Sequence, residues 1–174
     1  MRLFVRLSLV GLILLVALGF WINSTSPKET TKITPVTTSG ICEGDGVSIV
    51  IDFGTGSQET PIEKCIEDFS GNSWNMMAAA GIKVEGTSKY PVGFVCRING
   101  VPDESEERCI ETPGIDNGTW AFYLVDSGKW EYSAYGASSH NTKCGTSEGW
   151  RFLLPGELTT TVPRTTPVNR NCEK

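Results

Sequence analysis

The stretch GTWAFYLVDSGKWEYSAY, residues 118–135, alternates bulky apolar side chains through a short polar break. As a strand, Thr119 to Val125 puts Trp120, Phe122 and Leu124 on one face and Ala121, Tyr123 and Val125 on the other, because successive side chains point to opposite sides of a pleated sheet. Asp126-Ser127-Gly128 supplies turn residues, and Lys129 to Tyr135 reads as the returning strand, with Trp130 and Tyr132 opposing Ser133 and Tyr135. One helix cannot cover both faces of such a hairpin, so some aromatic surface is expected to stay open or to meet a partner.

Upstream, Val47 to Phe53 is β-branched and stops at Gly54, which marks a strand, and Glu59 to Ile66 is expected to pair back on it. Residues 71–81, GNSWNMMAAAG, read as one helix with a cap at Asn72 or Ser73 and a glycine stop. Trp74, Met77 and Gly81 at i, i+3 and i+7 are its expected apolar stripe. Further strands are expected at Ile82–Thr87, Gly93–Asn99 and Gly149–Leu154. One helix between an early hairpin and later strands gives an α+β fold, with the helix packed across an antiparallel or mixed sheet. A single helix covers one face only. Trp120, Phe122, Trp130, Trp150 and Phe152 are assigned to the core, and Tyr123 and Tyr135 are the aromatics expected to stay exposed.

The ends carry a different composition. Arg2 and Arg6 precede an uncharged run from Leu7 to Ile22, so residues 1–22 are expected to be a signal peptide or an N-terminal transmembrane anchor. Residues 23–40 form a Thr/Ser/Pro-rich linker and residues 157–174 a similar tail, leaving 41–156 as one folded domain. The expected address is extracytoplasmic, either membrane-anchored or secreted. All six cysteines lie beyond the apolar run, at Cys42, Cys65, Cys96, Cys109, Cys144 and Cys172, and none forms a CxxC. In an oxidising compartment disulfides are the default. Cys96 and Cys109 flank a polar loop and are expected to close it. Folding Val47–Phe53 back on Glu59–Ile66 would bring Cys42 to Cys65, leaving Cys144 and Cys172 to fasten the tail.

With 15 Lys+Arg against 20 Asp+Glu, the chain has a net charge of −5, which argues against nucleic-acid binding. Without Arg2 and Arg6 the exported part carries 13 cations against 20 anions, a net of −7. One histidine rules out chemistry that needs two, and no metal or cofactor is expected. Asp52 in VIDFGTG resembles the phosphate loop of actin-like ATPases, but the chain is too short for their two domains; a strand end with Asp52 facing solvent is expected. Gly145-Thr146-Ser147-Glu148-Gly149 matches the G-x-S-x-G nucleophile elbow in letters. That elbow requires a following helix and a later histidine, whereas His140 precedes it, so a serine hydrolase is the least favoured reading. Asp103, Glu104, Glu106, Glu107 and Glu111 lack the spacing of a calcium loop. His140 has the chemistry to ligate a metal or a corrinoid cobalt, but a lone imidazole in a polar loop is ordinarily just solvated.

The run AAAGIKVEGTSKYPVGFVCRINGVP (78–102), with residues 118–140 and EGWRF (148–152), resembles in order and wording the small domain at the C-terminus of transcobalamin and intrinsic factor. It is closest to small exported actinobacterial versions with a VDFG-like strand and an FVCRI-NG-x-P signature, and the likeness covers about residues 46–153. The resemblance implies a β-grasp-like sheet with one helix. It also implies one wall of a corrinoid site whose other wall, an α-helical barrel, is absent from this chain. The expected function is therefore a non-catalytic ligand-binding or accessory module, linked through a second protein to corrinoid or cobalt uptake, with Tyr123, Tyr135, Ser139 and His140 as ligand-facing residues. A cell-surface interaction or structural module is the alternative.

Overall fold

The computed structural model describes residues 34–172 apart from 58 and 59. The expected anchor or signal at 1–22 lies outside these residues, and no helix among those described is long and apolar enough to cross a membrane. The fold is α+β. Strands β1 (Val36–Ser39), β2 (Val47–Asp52), β3 (Ile62–Glu67), β6 (Thr119–Asp126), β7 (Lys129–Tyr132) and β8 (Ser147–Leu153) form one mixed sheet in the order β1-β3-β2-β8-β6-β7, while β4 (Val84–Gly86) and β5 (Val95–Ile98) make a separate ribbon. The β2–β3 hairpin, the helix α1 (Ser73–Ala79), the β6–β7 hairpin and a last strand, β8, parallel to β2 at the sheet centre give β-grasp connectivity, with β1 added at one edge.

Alternation decides the two faces. Ile49, Ile51, Trp120, Phe122, Trp150 and Phe152 pack with Met76, Met77 and Ala80 of the helix segment. The helix thus turns 76, 77 and 80 inward; Trp74 is only half-buried, and Gly81 at φ +67° ends the turn instead of extending the stripe. Asn72 caps the helix by accepting the Asn75 N–H at 2.9 Å. β8 starts at Ser147, two residues earlier than the glycines suggest, because Ser48 to Asp52 pair with Ser147 to Arg151 in parallel register. β7 stops at Tyr132, short of Tyr135. There the Ser133 hydroxyl accepts the Tyr135 N–H at 3.0 Å and makes a local turn.

Both polar ends of the domain take part in the fold. Val36–Ser39, expected as spacer, forms an edge strand on β3, and Thr37 donates its hydroxyl to the Ala79 carbonyl at 3.1 Å. β-branched residues suit such an edge. The tail runs across the sheet face opposite the helix. There Val50, Ala121, Tyr123, Trp130 and Leu153 form a second apolar cluster. Tyr123 donates its hydroxyl to the Thr161 carbonyl at 2.8 Å, and Trp130 donates its indole N–H to the Thr165 carbonyl at 2.7 Å. Gly149 makes this cover possible, since a Cβ there would lie about 3.0 Å from the Trp130 ring and 2.9 Å from Pro163. Tyr123, expected to be exposed, is therefore fully buried. The physical reason is cover by carbonyls of a polar, proline-bearing segment, which brings polar caps for Tyr and Trp without needing apolar side chains of its own.

Burial pushes the Tyr123 hydroxyl up to about 12. An acid whose folded value lies above its unfolded value of about 10 contributes full stability below pH 10 and loses it as pH rises toward 12. Alkaline titration followed by tyrosinate absorbance and by circular dichroism is expected to show one tyrosine ionising late, with the tail face opening in the same interval; ionisation of every tyrosine near 10 in a still-folded chain would refute this.

The three disulfides join Cys42–Cys65, Cys96–Cys109 and Cys144–Cys172, the expected pairs.

Candidate functional site

On the helix side of the sheet, a cavity of about 250 Å³ lies between β5, β6, β8 and the segment following β7. Its walls include Val95, Trp120, Phe122, Tyr135, Ala137 and Trp150, and no charged residue lines it. Phe122 and Trp150, cross-strand partners on β6 and β8, stack at 4.6 Å with planes 15° apart. The Trp120 indole donates to the Val101 carbonyl at 2.8 Å. The Trp150 indole N–H is buried and has no acceptor among the described residues. Tyr135 stands at the rim, 62% exposed. Two glycines let the rim close: Gly93 at φ +122°, where a Cβ would meet the Ser138 hydroxyl at 3.0 Å, and Gly136, where it would meet the Gly93 carbonyl at 3.2 Å.

The segment carrying Tyr135, Ser139 and His140 is fastened to the start of α1. Ser73 and Trp74 donate their backbone N–H groups to the carbonyls of His140 and Ala137, Asn72 donates its side-chain amide to the Ser138 carbonyl, and Thr142 donates to Gly71. His140 is thereby held with its ring against Phe122 and Tyr135, at centroid distances of 6.0 and 6.4 Å. Its Nε2 lies 3.4 Å from Glu148 Oε1, at ion-pair distance but without hydrogen-bond geometry, and both Glu148 carboxylate oxygens are fully buried. Glu148 sits in a glycine-flanked segment whose sequence resembles a loop. The available signal was its period-two spacing from Trp150 and Phe152, which puts it on the helix face of β8.

Nothing in the three comparisons matches this chain: no family model, no curated protein and no solved structure. The site is therefore read from its own geometry.

Of the four ligand-facing residues expected, Tyr135, Ser139 and His140 fall together on one segment, and Tyr123 lies on the opposite face of the sheet. Ser139 is exposed and donates its hydroxyl to the Gly136 carbonyl at 3.0 Å, so its first role is to close a turn. Ser147 and His140 are on opposite sides of β8. The Ser147 hydroxyl accepts the Val168 N–H under the tail, while the neighbouring Glu148 faces His140. An activated nucleophile needs a base within hydrogen-bond reach, and the pleat keeps this histidine away from this serine.

Asp52, expected at a solvent-facing strand end, is fully buried under the tail. Its carboxylate accepts from Arg151 at 2.7 Å, from the Arg164 side chain at 2.7 Å and backbone at 2.9 Å, and from Gly54 N–H at 3.0 Å. Burial pulls its carboxyl upward, but these donors and the Arg151 charge outweigh that, and the net position is below the ordinary carboxylate range. The acidic loop is likewise used locally: Asp103 accepts from Ser105, Glu106 from the Asp103 N–H and Glu107 from the Cys109 N–H. Among the described residues, the one grouping of three metal-capable side chains is Asp45 with Cys144 and Cys172, whose sulfurs are joined to each other.

Proposed function

We propose that the protein is an extracytoplasmic, non-catalytic binding module that meets its ligand at the aromatic cavity beside Tyr135 and His140. The observation that carries this reading is an uncharged, aromatic-walled concavity with an exposed tyrosine at its rim, held open by a segment fastened to the helix. Small-molecule sites are typically apolar concavities with a few placed polar groups. Three disulfides are compatible with an oxidising compartment, and the separation of Ser147 from His140 supports the absence of hydrolase chemistry.

The resemblance to transcobalamin-like domains extends the proposal to corrinoid uptake. At about 250 Å³ the cavity takes only part of so large a ligand, which supports a second protein supplying the other wall. Adding cobalamin to the chain together with a membrane uptake component is expected to quench tryptophan fluorescence saturably, and Tyr135→Ala is expected to weaken that response about ten-fold at an unchanged Tm, since exposed aromatic anchors contribute heavily to binding. No quenching with or without the partner would remove the corrinoid part. The surface-interaction alternative draws on Tyr90 and Val92, exposed just before the cavity-lining Gly93.

A further inference from the structure

We propose that Cys144–Cys172 is a redox latch: an external dithiol opens it ahead of the other two bridges, and its opening releases the end of the tail while the rest of the fold stays closed. Three observations carry this. The first is access. Cys42, Cys65, Cys96 and Cys109 are only 2% to 6% exposed, so the two bridges they form sit inside the packed chain. Cys144 is exposed and Cys172 half-buried. Exchange begins when a thiolate reaches a disulfide sulfur, and exposed bridges are the labile ones. A buried bridge reacts only after local or global opening.

The second is a supported leaving group. Gly46 donates its N–H to Cys144 Sγ at 3.3 Å, a bond that strengthens when the sulfur takes a negative charge. The attacking thiolate therefore bonds to Cys172 Sγ, the S–S bond breaks, and Cys144 departs with the electron pair as a thiolate. The second thiol of the reductant, as its thiolate, then displaces the Cys172 sulfur and closes a disulfide within the reductant. The bridge gains two electrons, and its two sulfurs take up the two protons that the dithiol gives up. An Asp45 carboxylate oxygen lies within 4.8 Å of both sulfurs. Its charge disfavours anionic attackers, so a neutral dithiol is the matched reductant.

The third is what the bridge holds. From Val168 onward the tail is attached mainly through its backbone. The Val168 carbonyl accepts the Ser147 N–H at 2.9 Å, Arg170 donates its N–H to the Gly145 carbonyl at 2.7 Å, and the Arg170 guanidinium donates to the Glu43 carbonyl. Asn169, Arg170 and Asn171 are exposed, and no residue from 168 to 172 is fully buried. Few buried contacts and exposed backbone bonds are the marks of a segment that opens locally. The earlier part of the tail differs, because Thr161, Arg164 and Thr165 are bonded to the buried Tyr123, Asp52 and Trp130. Opening the bridge thus frees residues 168–172 and leaves the cover of the second apolar cluster in place.

The test treats the oxidised full chain with dithiothreitol, a neutral dithiol, and quenches samples over time with N-ethylmaleimide for peptide mapping. Cys144 and Cys172 are expected to become labelled at least about ten-fold faster than the other four cysteines, whose bridges wait for opening. A neutral monothiol, mercaptoethanol, stopped early in acid, is expected to leave its mixed disulfide on Cys172. In the chain reduced at this bridge alone, hydrogen exchange at the Ser147 and Arg170 amides is expected to rise about ten-fold, while the amides of β2 keep their protection. Labelling of all six cysteines at one rate, or of a buried pair first, would overturn the proposal. So would a mixed disulfide found on Cys144, or unchanged exchange at Ser147 and Arg170 once the bridge is open.

Discussion

Asp52→Ala is expected to destabilise the folded chain by about 3 to 5 kcal/mol, the cost of breaking a buried ion pair from one side. The mutation removes the acceptor of Arg151, which is itself only 1% exposed, and of the Arg164 side chain and backbone. Glu157 would remain as a weaker partner of Arg151 at 3.4 Å. Native stability of small domains is about 5 to 15 kcal/mol, so the loss would consume a large part of it. Chemical denaturation with two probes, one reporting the sheet and one the tail-side tyrosines, would measure it; a loss below about 1 kcal/mol would show that the cluster is solvated in solution.

The same carboxylate sets an acid limit. Its folded value is lowered relative to the unfolded one, so its contribution is complete above the unfolded value of about 3.9 and is lost as pH falls through the folded one. Asp52→Asn should therefore remove the part of the acid-induced stability loss that this carboxylate causes, while being less stable than the parent at neutral pH.

Deleting residues 155–174 is expected to have the larger effect and to prevent cooperative folding. The tail is the cover of the second apolar cluster, the acceptor for Tyr123 and Trp130, and the source of Arg164. A sheet whose second face presents Val50, Ala121, Tyr123, Trp130 and Leu153 to water would expose a contiguous apolar patch, a feature associated with aggregation. Cys172→Ser tests the covalent part alone. Cys144–Cys172 spans 28 residues against 13 for Cys96–Cys109, and both bridges are worth about 3 to 4 kcal/mol on a chain-entropy account. The tail bridge is therefore expected to matter at least as much as the one inside the domain. A soluble, cooperatively melting truncation would show that the tail is dispensable.

The hairpin at 119–132, the helix after β3 and the Cys96–Cys109 bridge are legible because each is written locally, as alternation, capping and flanking positions, whereas Cys144–Cys172 is reached only as the remaining pair. What escaped depended on distance in sequence. Arg164 is one of three cations in a Thr/Pro-rich tail, and nothing near it signals that Asp52, 112 residues earlier, is its partner. Tyr123 is exposed by its own strand's logic for the same reason: that strand says only that it faces away from Trp120, and what covers that face is written elsewhere. In the candidate site, Tyr135, Ser139 and His140 stand out in sequence as polar and aromatic residues of a turn-rich segment. The cavity wall of Trp120, Phe122 and Trp150 was read as core, which by burial it is. Only packing shows that the core stops short there, and that Glu148 stands beside the histidine.

The edge strand β1 also has a mechanical meaning. Val36 is 53% exposed and most of the strand packs on no core, while three residues beyond its end Cys42 is bonded to Cys65 of β3. Tension entering from the N-terminal side would strip β1 from β3 first and then meet a covalent stop. The slack released between residues 34 and 41 is at most about 28 Å at full extension of about 3.5 Å per residue. With Cys144–Cys172 bolting the other end, the β-grasp sheet would bear load as a clamped unit: its N-terminal side could lengthen like a short spring while the aromatic cavity kept its shape.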